Sequence, residues 1–396
     1  MPEFIPFRSY RFSPDAGTLT ELTAPPYDVL SDADVAHYGA LHRSNIVHVD
    51  VPREADGPGR YDDAAATLMS WIDQGVLIRD TEPSFTVYRM SFTDAAGRAR
   101  TIVGVLGGLE VVDEGAGGVL PHERTTPKAS TDRLDLTRAT RANLSPVWGL
   151  SLASGLSELL TEPGEALGSF IQDGVEHRVE RISDPQRIDE IAALIASDDV
   201  LIADGHHRYG ISRIYRDEQR EHGGDQAEAA RFTLTFINEL IEEQLSVEAI
   251  HRLYCGIGVD DLRARLGEYF EISPAEVTTA DVVAEMDARG ALCLVEPGGR
   301  LNWMLARPGV FDQIRSLDGA WLEHALADTT AEVSYQHGVT EILAAVDGGD
   351  YCAGVLIRPV SLAEIERTAR EGLLMPPKST FFTPKLQTGL VIRPLD

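Results

Sequence analysis

The stretch Asp204-Gly205-His206-His207-Arg208-Tyr209-Gly210-Ile211 decides the fold of this chain, because it joins a short apolar run to a cluster of polar side chains. The preceding residues 200–203, Val-Leu-Ile-Ala, predict a buried strand. After the turn at Gly205, apolar and aromatic residues recur at helical spacing, so a helix is expected to begin there. The first turn of a helix offers N–H groups without intrahelical acceptors and the positive end of the helix dipole, which together attract an anion.

The polar side chains of this first turn are types that bind phosphate. Arg208 can hold two phosphate oxygens with its planar guanidinium, and His206 or His207 can donate a hydrogen bond or carry a proton. An ordinary alternative is that Asp204 caps the helix and the histidines are solvated. We favour an anion site, because adjacent charged histidines beside an arginine repel one another unless an anion or a metal ion offsets the repulsion.

Lysine is scarce in this chain, and its positions are informative. Of the 35 Lys and Arg residues, only Lys128, Lys378 and Lys385 are lysines. All three lie in loops rich in Pro, Ser and Thr, at residues 121–128 and 375–385. A lysine ammonium can pair with a phosphoryl group as a point charge, which a guanidinium does less well. The three lysines either remain by chance or serve one ligand, and their clustering favours the ligand.

Composition limits the classes of function. A chain of 396 residues with 43% hydrophobic residues predicts two or three domains. The net charge of −28 disfavours binding to nucleic acid or to an anionic membrane surface, although a local basic pocket can still bind a small anion. None of the 3 cysteines belongs to a Cys-x-x-Cys pair, and no signal peptide or membrane span is recognisable in the sequence. We therefore expect a cytoplasmic location.

The alternation of predicted strands and helices indicates an α/β (mixed α+β) fold. We expect an N-terminal α/β domain at residues 1–245 that carries the Asp-Gly-His-His-Arg motif, and a C-terminal α+β domain at residues 246–396 whose last segment returns to the site. Within them the sequence predicts strands at 46–51, 85–92, 101–112, 147–152, 232–237, 291–295 and 301–305, and helices at 61–72, 132–142, from Asp184-Pro185 onward and from Ser361 to Arg370.

Three segments resemble an uncharacterised prokaryotic family, the domain of unknown function ten-fifteen. They are residues 24–29 (Ala-Pro-Pro-Tyr-Asp-Val), 202–209 and 375–385. Two shorter segments, Pro121-His122-Glu123-Arg124-Thr125 and Asn143-Leu144-Ser145-Pro146, are also similar to its signatures. The resemblance covers nearly the whole chain, but the family implies no activity.

The stretch from Asp204 to Tyr209 also resembles, more distantly, the phosphate-contact motif of the ParB/sulfiredoxin class, which includes nucleotidases, sulfiredoxins and free-serine kinases. This resemblance implies a ParB/sulfiredoxin-like core with a large N-terminal elaboration and a C-terminal α+β region. His206 stands where sulfiredoxins place their cysteine, which argues against sulfinic-acid reduction. The basic surface and helix-turn-helix of a chromosome-partitioning protein are missing.

Phosphoryl transfer needs charge neutralisation, in-line positioning and a group that orients the nucleophile. The candidate catalytic groups are His122, Glu123, Asp28 and His206, and Glu123 is also the candidate ligand of Mg²⁺. For Asp28, a structural role beside the helix after Ser31 is an equal alternative. The expected cofactor is a nucleotide, ATP or ADP, with Mg²⁺, and its candidate binding residues are Asp204, Gly205, His206, His207, Arg208, Lys128, Lys378, Ser379, Thr380 and Lys385.

Three functions follow from these expectations. The leading hypothesis is a nucleotide-dependent phosphotransferase that acts on a small hydroxyl metabolite, with serine as the first to test. The alternative enzyme is a metal-dependent phosphohydrolase, in which His122, Glu123, His206 and His207 bind metal ions. The non-catalytic alternative is a nucleotide-sensing protein that binds a small anionic ligand without turnover. The sequence predicts no oligomeric state.

Overall fold

A computed structural model describes residues 1–53, 56–95, 97–124 and 130–396, with only the backbone of Ser130 and Thr131. The chain divides into two compact units. The first comprises Met1–Ser246, Ala369–Gly372 and Pro384–Asp396, and the second comprises Val247–Thr368 and Leu373–Thr383. The fold is mixed α/β, as predicted, whereas a ParB/sulfiredoxin-like core stays a prediction.

The elements up to residue 246 belong to the first unit. Its strands are β1 (Phe4–Ile5), β2 (Tyr10–Phe12), β3 (Leu77–Arg79), β4 (Phe85–Thr93), β5 (Ala99–Glu110), β6 (Val119–Leu120), β7 (Ala142–Asn143), β8 (Val147–Ser151), β9 (Glu165–Gln172), β10 (Val175–Ile182), β11 (Val200–Asp204) and β12 (Phe232–Glu239). Its helices are α1 (Leu19–Leu22), α2 (Asp32–Leu41), α3 (Val47–Asp50), α4 (Arg60–Asp73), α5 (Ser130–Thr140), α6 (Leu156–Leu159), α7 (Pro185–Ile195), α8 (His206–His222) and α9 (Asp225–Ala229), with a 3-10 turn at Tyr27–Val29.

Beyond residue 246 the strands are β13 (Ser246–Glu248), β14 (His251–Cys255), β15 (Phe270–Pro274), β16 (Leu292–Glu296), β17 (Arg300–Ala306), β18 (Glu332–Gln336), β19 (Ala353–Leu356), β20 (Phe381–Thr383) and β21 (Arg393–Pro394). The helices are α10 (Val259–Tyr269), α11 (Val282–Arg289), α12 (Asp318–Leu326), α13 (Val339–Asp347) and α14 (Leu362–Arg370).

The first unit is built on a mixed sheet in the order β6-β11-β8-β12-β5-β4-β10-β9, with β1 also paired to β5. Strand β11 runs parallel to β6 and antiparallel to β8. Glycines in β5 make room for large apolar side chains: a Cβ at Gly107 would lie 2.4 Å from the ring of Phe4. Phe4 and Phe85 stack in the buried core that packs on this sheet.

A second apolar cluster in the first unit holds the helices that precede the sheet. It joins Leu22 and Ile46 to Leu68 and Trp71 of α4, and all four side chains are buried. Helix α5 packs on α4 and α8, and its Leu136 also enters this cluster. Helix α5 thereby carries polar side chains close to the start of α8.

The second unit contains an antiparallel sheet in the order β15-β17-β16-β19-β14-β18. Strand residues point alternately to its two faces, so Leu292 and Leu294 enter one core cluster while Cys293 and Val295 enter another. Helices α10 and α12 supply the first cluster, and helices α11 and α13 supply the second. Both faces of this sheet are therefore covered by helices, which explains the continuous apolar run of β16.

Most of the local predictions are confirmed, because they rest on spacing along one element. Asp184 accepts the backbone N–H of Arg187 at 2.9 Å and caps α7, with Pro185 in its first turn. The strand predicted at 46–51 is wrong, since residues Val47–Asp50 form a helix. Asn45 lies two residues before the helix, and its side chain accepts the N–H of Val47 at 3.0 Å, so a local hydrogen bond at the helix start overrides the β-branched composition. In the described part of the chain, no helix is both long and apolar enough to span a membrane.

Candidate functional site

The turn between β11 and α8 forms as the sequence predicts. Strand β11 ends at Asp204, and Gly205, with φ of 85°, precedes the 17-residue helix α8. Glycine is required there because the left-handed backbone disfavours a side chain and a Cβ would lie 3.1 Å from the Arg208 guanidinium. Tyr209 fixes the helix start, since its hydroxyl donates to the carbonyl of Glu110 at 3.0 Å and accepts the N–H of Val112 at 2.9 Å.

Asp204 does not cap the helix but joins two cations. Its carboxylate accepts hydrogen bonds from Arg208 Nη2 at 2.6 Å and from Lys385 Nζ at 2.9 Å. Burial alone would raise the pKa of Asp204, but the charges of Lys385 and Arg208 outweigh burial and hold the pKa well below its usual range. Lys385 lies in the segment that returns to the first unit, so the last residues of the chain complete this turn.

Arg208 is buried, with 8% of its side chain exposed, and its guanidinium is largely engaged within the protein. Nη1 donates to the carbonyl of Pro146, and Nη2 lies 3.6 Å from the Asp28 carboxylate in addition to its bond to Asp204. Within the described residues, Nε is buried without a hydrogen-bond partner. Arg208 thus ties residues 28 and 146, from two family-like segments, to the turn.

His122, which is buried, and His206, which is half-buried, form a pair beside the same turn. His122 Nδ1 lies 2.7 Å from the carbonyl oxygen of Ile202 and donates to it, while the backbone N–H of His122 donates to His206 Nε2 at 3.4 Å. Burial lowers the pKa of His122 to about 4, and burial and then the neighbouring His122 lower the pKa of His206 well below its ordinary value. Both rings are neutral at neutral pH, so the predicted repulsion between charged histidines does not arise at His206.

A second buried ion pair lies beside Arg208 and was not found by sequence reasoning. Arg133 of α5 donates to the carbonyl of Asp50 at 2.6 Å and to its carboxylate at 2.8 Å, and its guanidinium sits 4.0 Å from the ring centroid of Tyr27. Burial raises the pKa of Tyr27 to about 12. Arg133 and Arg208 both line a cavity of about 40 Å³, large enough for ordered water. The only sequence signal was the family-like segment that contains Tyr27.

The remaining predicted residues fall in different places. Glu123 and His207 are half-buried residues of the first unit. Lys378, Ser379 and Thr380 belong to the second unit, where the carbonyl of Lys378 accepts from Arg252 at 3.1 Å and Ser379 donates to Pro376 at 2.7 Å. Lys128 and Thr125 lie outside the described residues. The roles of all these residues as ligands stay predictions.

Two polar residues at the end of β12 have structural roles. Asn238 accepts a hydrogen bond from the indole N–H of Trp148 at 2.7 Å. Glu239 accepts the N–H groups of Gly155 at 3.0 Å and Ser157 at 2.8 Å, so its carboxylate satisfies the start of α6. Across the described residues, no group of three His, Cys, Asp or Glu side chains is arranged to hold a metal ion.

Comparison with solved structures gives matches of low identity. A conserved hypothetical protein from Pyrococcus furiosus is 15% identical with a TM-score of 0.38, over 67% of this chain and 87% of that protein. A free serine kinase mutant in complex with AMP is 14% identical with a TM-score of 0.39, over 69% and 89%. SbnI from Staphylococcus aureus, with a C-terminal truncation, is 12% identical with a TM-score of 0.40, over 73% and 87%. These scores are too low to assign a common fold.

Comparison with curated proteins gives no match. Comparison with family profiles gives a match that spans residues 4–320 and is described as a protein of unknown function, DUF1015. The match covers most of the chain and includes the β11–α8 turn, whereas Lys385 lies beyond the matched residues. The chain therefore belongs to the DUF1015 family of proteins of unknown function.

Proposed function

We propose that this protein binds a nucleotide, ATP or ADP, with Mg²⁺ at the β11–α8 turn and transfers a phosphoryl group to a small hydroxyl metabolite. The observation that carries the proposal is the meeting of a helix start with Lys385 and Arg208 at the end of β11. Backbone N–H groups of a first turn and nearby cations are the elements with which proteins bind phosphate.

The charges around the turn make a metal ion a natural part of the ligand. Arg208 and Lys385 carry two positive charges, and the carboxylates of Asp204 and Asp28 offset them. A nucleotide phosphate chain would add several negative charges to a cluster that is already near neutrality. Mg²⁺ binds through one or two carboxylates together with substrate phosphates, so it would supply the missing positive charge without a cluster of protein ligands. Glu123, Asp28 and Asp204 are the carboxylates that could hold it.

In this proposal Arg208 holds the turn in place and does not itself bind the ligand. Its bonds to Asp204 and Pro146 fix the turn, and burial leaves little of the guanidinium for a ligand. His207 is half-buried, and Lys385 carries three N–H donors on one ammonium, so these two side chains are better candidates than Arg208 to meet phosphate oxygens. Arg208 is therefore a positioning residue, and Lys385 is the first candidate for direct phosphate contact.

We place the proton acceptor for the metabolite hydroxyl next to His122. Since His122 Nδ1 donates to Ile202, the neutral ring keeps its lone pair on Nε2. A pKa of about 4 makes this ring a weak base at neutral pH. Glu123 is half-buried and follows directly in the chain, so we assign the base to Glu123 and a positioning role to His122. Serine is the first acceptor to test, because the Asp204–Tyr209 motif resembles that of free-serine kinases.

A thermal-shift titration with ATP or ADP, with and without Mg²⁺, tests binding. A ligand that binds only the folded state raises the melting temperature with concentration, and we expect a larger rise when Mg²⁺ is present. The variant Lys385→Gln should lose most of this rise. Arg300→Gln, at a side chain that is 67% exposed in the second unit, is the matched loss of one positive charge and should keep it. Equal titrations for Lys385→Gln and the unmodified chain would contradict the proposed contact.

One observation favours the sensor as a second candidate. His122, His206 and Arg208 are engaged in bonds within the protein, and burial makes His122 a weak base with a pKa of about 4, so these groups are suited to holding the turn more than to activating a hydroxyl. A sensor would show nucleotide-dependent stabilisation without product from any acceptor. The hydrolase alternative would instead show nucleotide-independent phosphate release that requires a metal ion.

A further inference from the structure

The cavity of about 40 Å³ in the first unit is lined by a family-like segment that the proposed function does not use. This segment is Asn143-Leu144-Ser145-Pro146, and its first three residues line the cavity. Arg133 of α5 and Arg208 of α8 line the cavity as well. Two helices and one family-like loop therefore meet around a small internal space.

The charges on the cavity wall are of one sign. Arg133 and Arg208 are both buried, and each is paired with a carboxylate, Arg133 with Asp50 at 2.8 Å and Arg208 with Asp204 at 2.6 Å. Among the described residues, however, no aspartate or glutamate lines the cavity. The two guanidinium groups therefore border the space, whereas their carboxylate partners lie outside its wall. Charges of one sign around a small low-dielectric space attract a small ion of the opposite sign.

The free polar groups of the lining are hydrogen-bond donors. The side-chain oxygen of Asn143 accepts the backbone N–H of Leu234 at 3.0 Å, which leaves the amide NH₂ as the donor end of this side chain. In the part of the chain that the structure describes, neither this NH₂ nor the Ser145 hydroxyl has a hydrogen-bond partner. A ligand that only accepts hydrogen bonds would satisfy both groups, and an anion would do so while it balances charge.

The size of the cavity limits the ligand. Water takes up about 30 Å³ per molecule in the liquid, so a space of about 40 Å³ suits one small ion and is too small for a phosphate or a sulfate. A water molecule would also need acceptors for its own two hydrogen atoms. A halide ion accepts from every donor around it and donates none, so it matches this wall better than water does.

We propose that this cavity is a halide site, filled by chloride, that joins Arg133 of α5 to Arg208 of α8. The ion would accept hydrogen bonds from Asn143 and Ser145 and would lie against both guanidinium groups. Because Arg208 holds the β11–α8 turn, the ion would stabilise that turn in the folded protein by mass action. No nucleotide is involved, so this inference is tested separately from the proposed function.

The test is X-ray diffraction from crystals of the full chain grown in sodium bromide, with data collected at the bromine absorption edge. Bromide replaces chloride in halide sites and scatters anomalously, so it marks the ion directly. We expect an anomalous peak in the cavity, within hydrogen-bond distance of the Ser145 hydroxyl and beside Arg133 and Arg208. Density in the cavity without an anomalous peak would overturn the proposal. Bromide found only at surface positions, as an adventitious ion only, would overturn it too.

A thermal-shift titration tests the same site in solution. Sodium gluconate, whose anion is too large for the cavity, is replaced by sodium bromide at constant ionic strength, so screening of the net charge is unchanged. We expect the melting temperature to rise with bromide. Ser145→Ala loses one hydrogen bond to the ion and should need about tenfold more bromide for the same rise. Ser169→Ala, at an exposed hydroxyl of β9 in the same unit, is the matched control and should titrate like the unmodified chain. Identical titrations for all three chains would contradict the site.

Discussion

Replacing Asp204 by Asn removes a carboxylate that pairs with both Arg208 and Lys385. Their side chains are 8% and 12% exposed, so both cations would remain buried with less compensation. Loss of one partner from a buried ion pair costs about 3–5 kcal/mol. Asp28 remains 3.6 Å from Arg208, and the new amide can still accept a hydrogen bond, so we expect a loss near the lower end, about 3 kcal/mol.

The pH dependence of this loss separates charge from packing. The pKa of Asp204 is depressed in the folded protein, so its contribution to stability is present above the unfolded value, about 4. The contribution is lost as pH falls through the folded pKa. The free-energy difference between the unmodified chain and Asp204→Asn should therefore be constant from neutral pH to about 5 and shrink below about 4.

Urea unfolding at several pH values measures this difference. Asp15→Asn, at an exposed aspartate, is the matched control and should change stability by less than about 0.5 kcal/mol. The reasoning is refuted if Asp204→Asn unfolds at the same urea concentration as the unmodified chain at neutral pH. It is also refuted if the full difference persists in acid.

Three further predictions concern stability. Gly205→Ala should lower the urea midpoint by more than Gly298→Ala does. Both glycines have positive φ, but only a Cβ at residue 205 would meet the Arg208 guanidinium. Equal losses for the two variants would show that this contact is unimportant. Burial lowers the pKa values of His122, His177 and His251 to about 4, so the unfolded chain binds more protons than the folded chain below about pH 6.5. Each of these histidines should therefore lower the free energy of unfolding by up to about 2 kcal/mol as pH falls to about 5. A flat stability profile across this range would contradict the neutral buried rings. The net charge of −28 should make the melting temperature rise between about 0.05 M and about 0.5 M NaCl, since salt screens self-repulsion, and a fall would contradict this.

The strand-turn-helix around Gly205 could be predicted because its signals are local. Apolar runs, helical spacing and a glycine at the turn all act within a few residues. The error at residues 46–51 has a local cause too, since the hydrogen bond from the Val47 N–H to the Asn45 side chain outweighs β-branched composition. Propensity is a weak guide where one side chain satisfies a helix start.

The partners in the site could not be predicted, because they come from distant parts of the chain. Lys385 reaches Asp204 across 181 residues, and Arg133 reaches Asp50 across 83. Composition drew attention to Lys385 but gave no indication that a carboxylate would hold it. The repulsion expected between adjacent histidines does not arise at His206 for a related reason: burial, which depends on the tertiary packing, keeps the His206 ring neutral.

The most direct test of phosphoryl transfer is ³¹P NMR of ATP or ADP incubated with the protein, Mg²⁺ and L-serine. We predict a new phosphate monoester signal that grows as the nucleotide loses its terminal phosphate. Glu123→Gln should slow the growth of this signal by about 100-fold or more while the thermal shift given by nucleotide without Mg²⁺ is kept. Another outcome is a nucleotide that stabilises the protein and yet remains intact in the presence of serine and other small hydroxyl metabolites. That result would contradict the transferase and favour the nucleotide-sensing alternative. Product formed at the same rate by Glu123→Gln would contradict the assigned base.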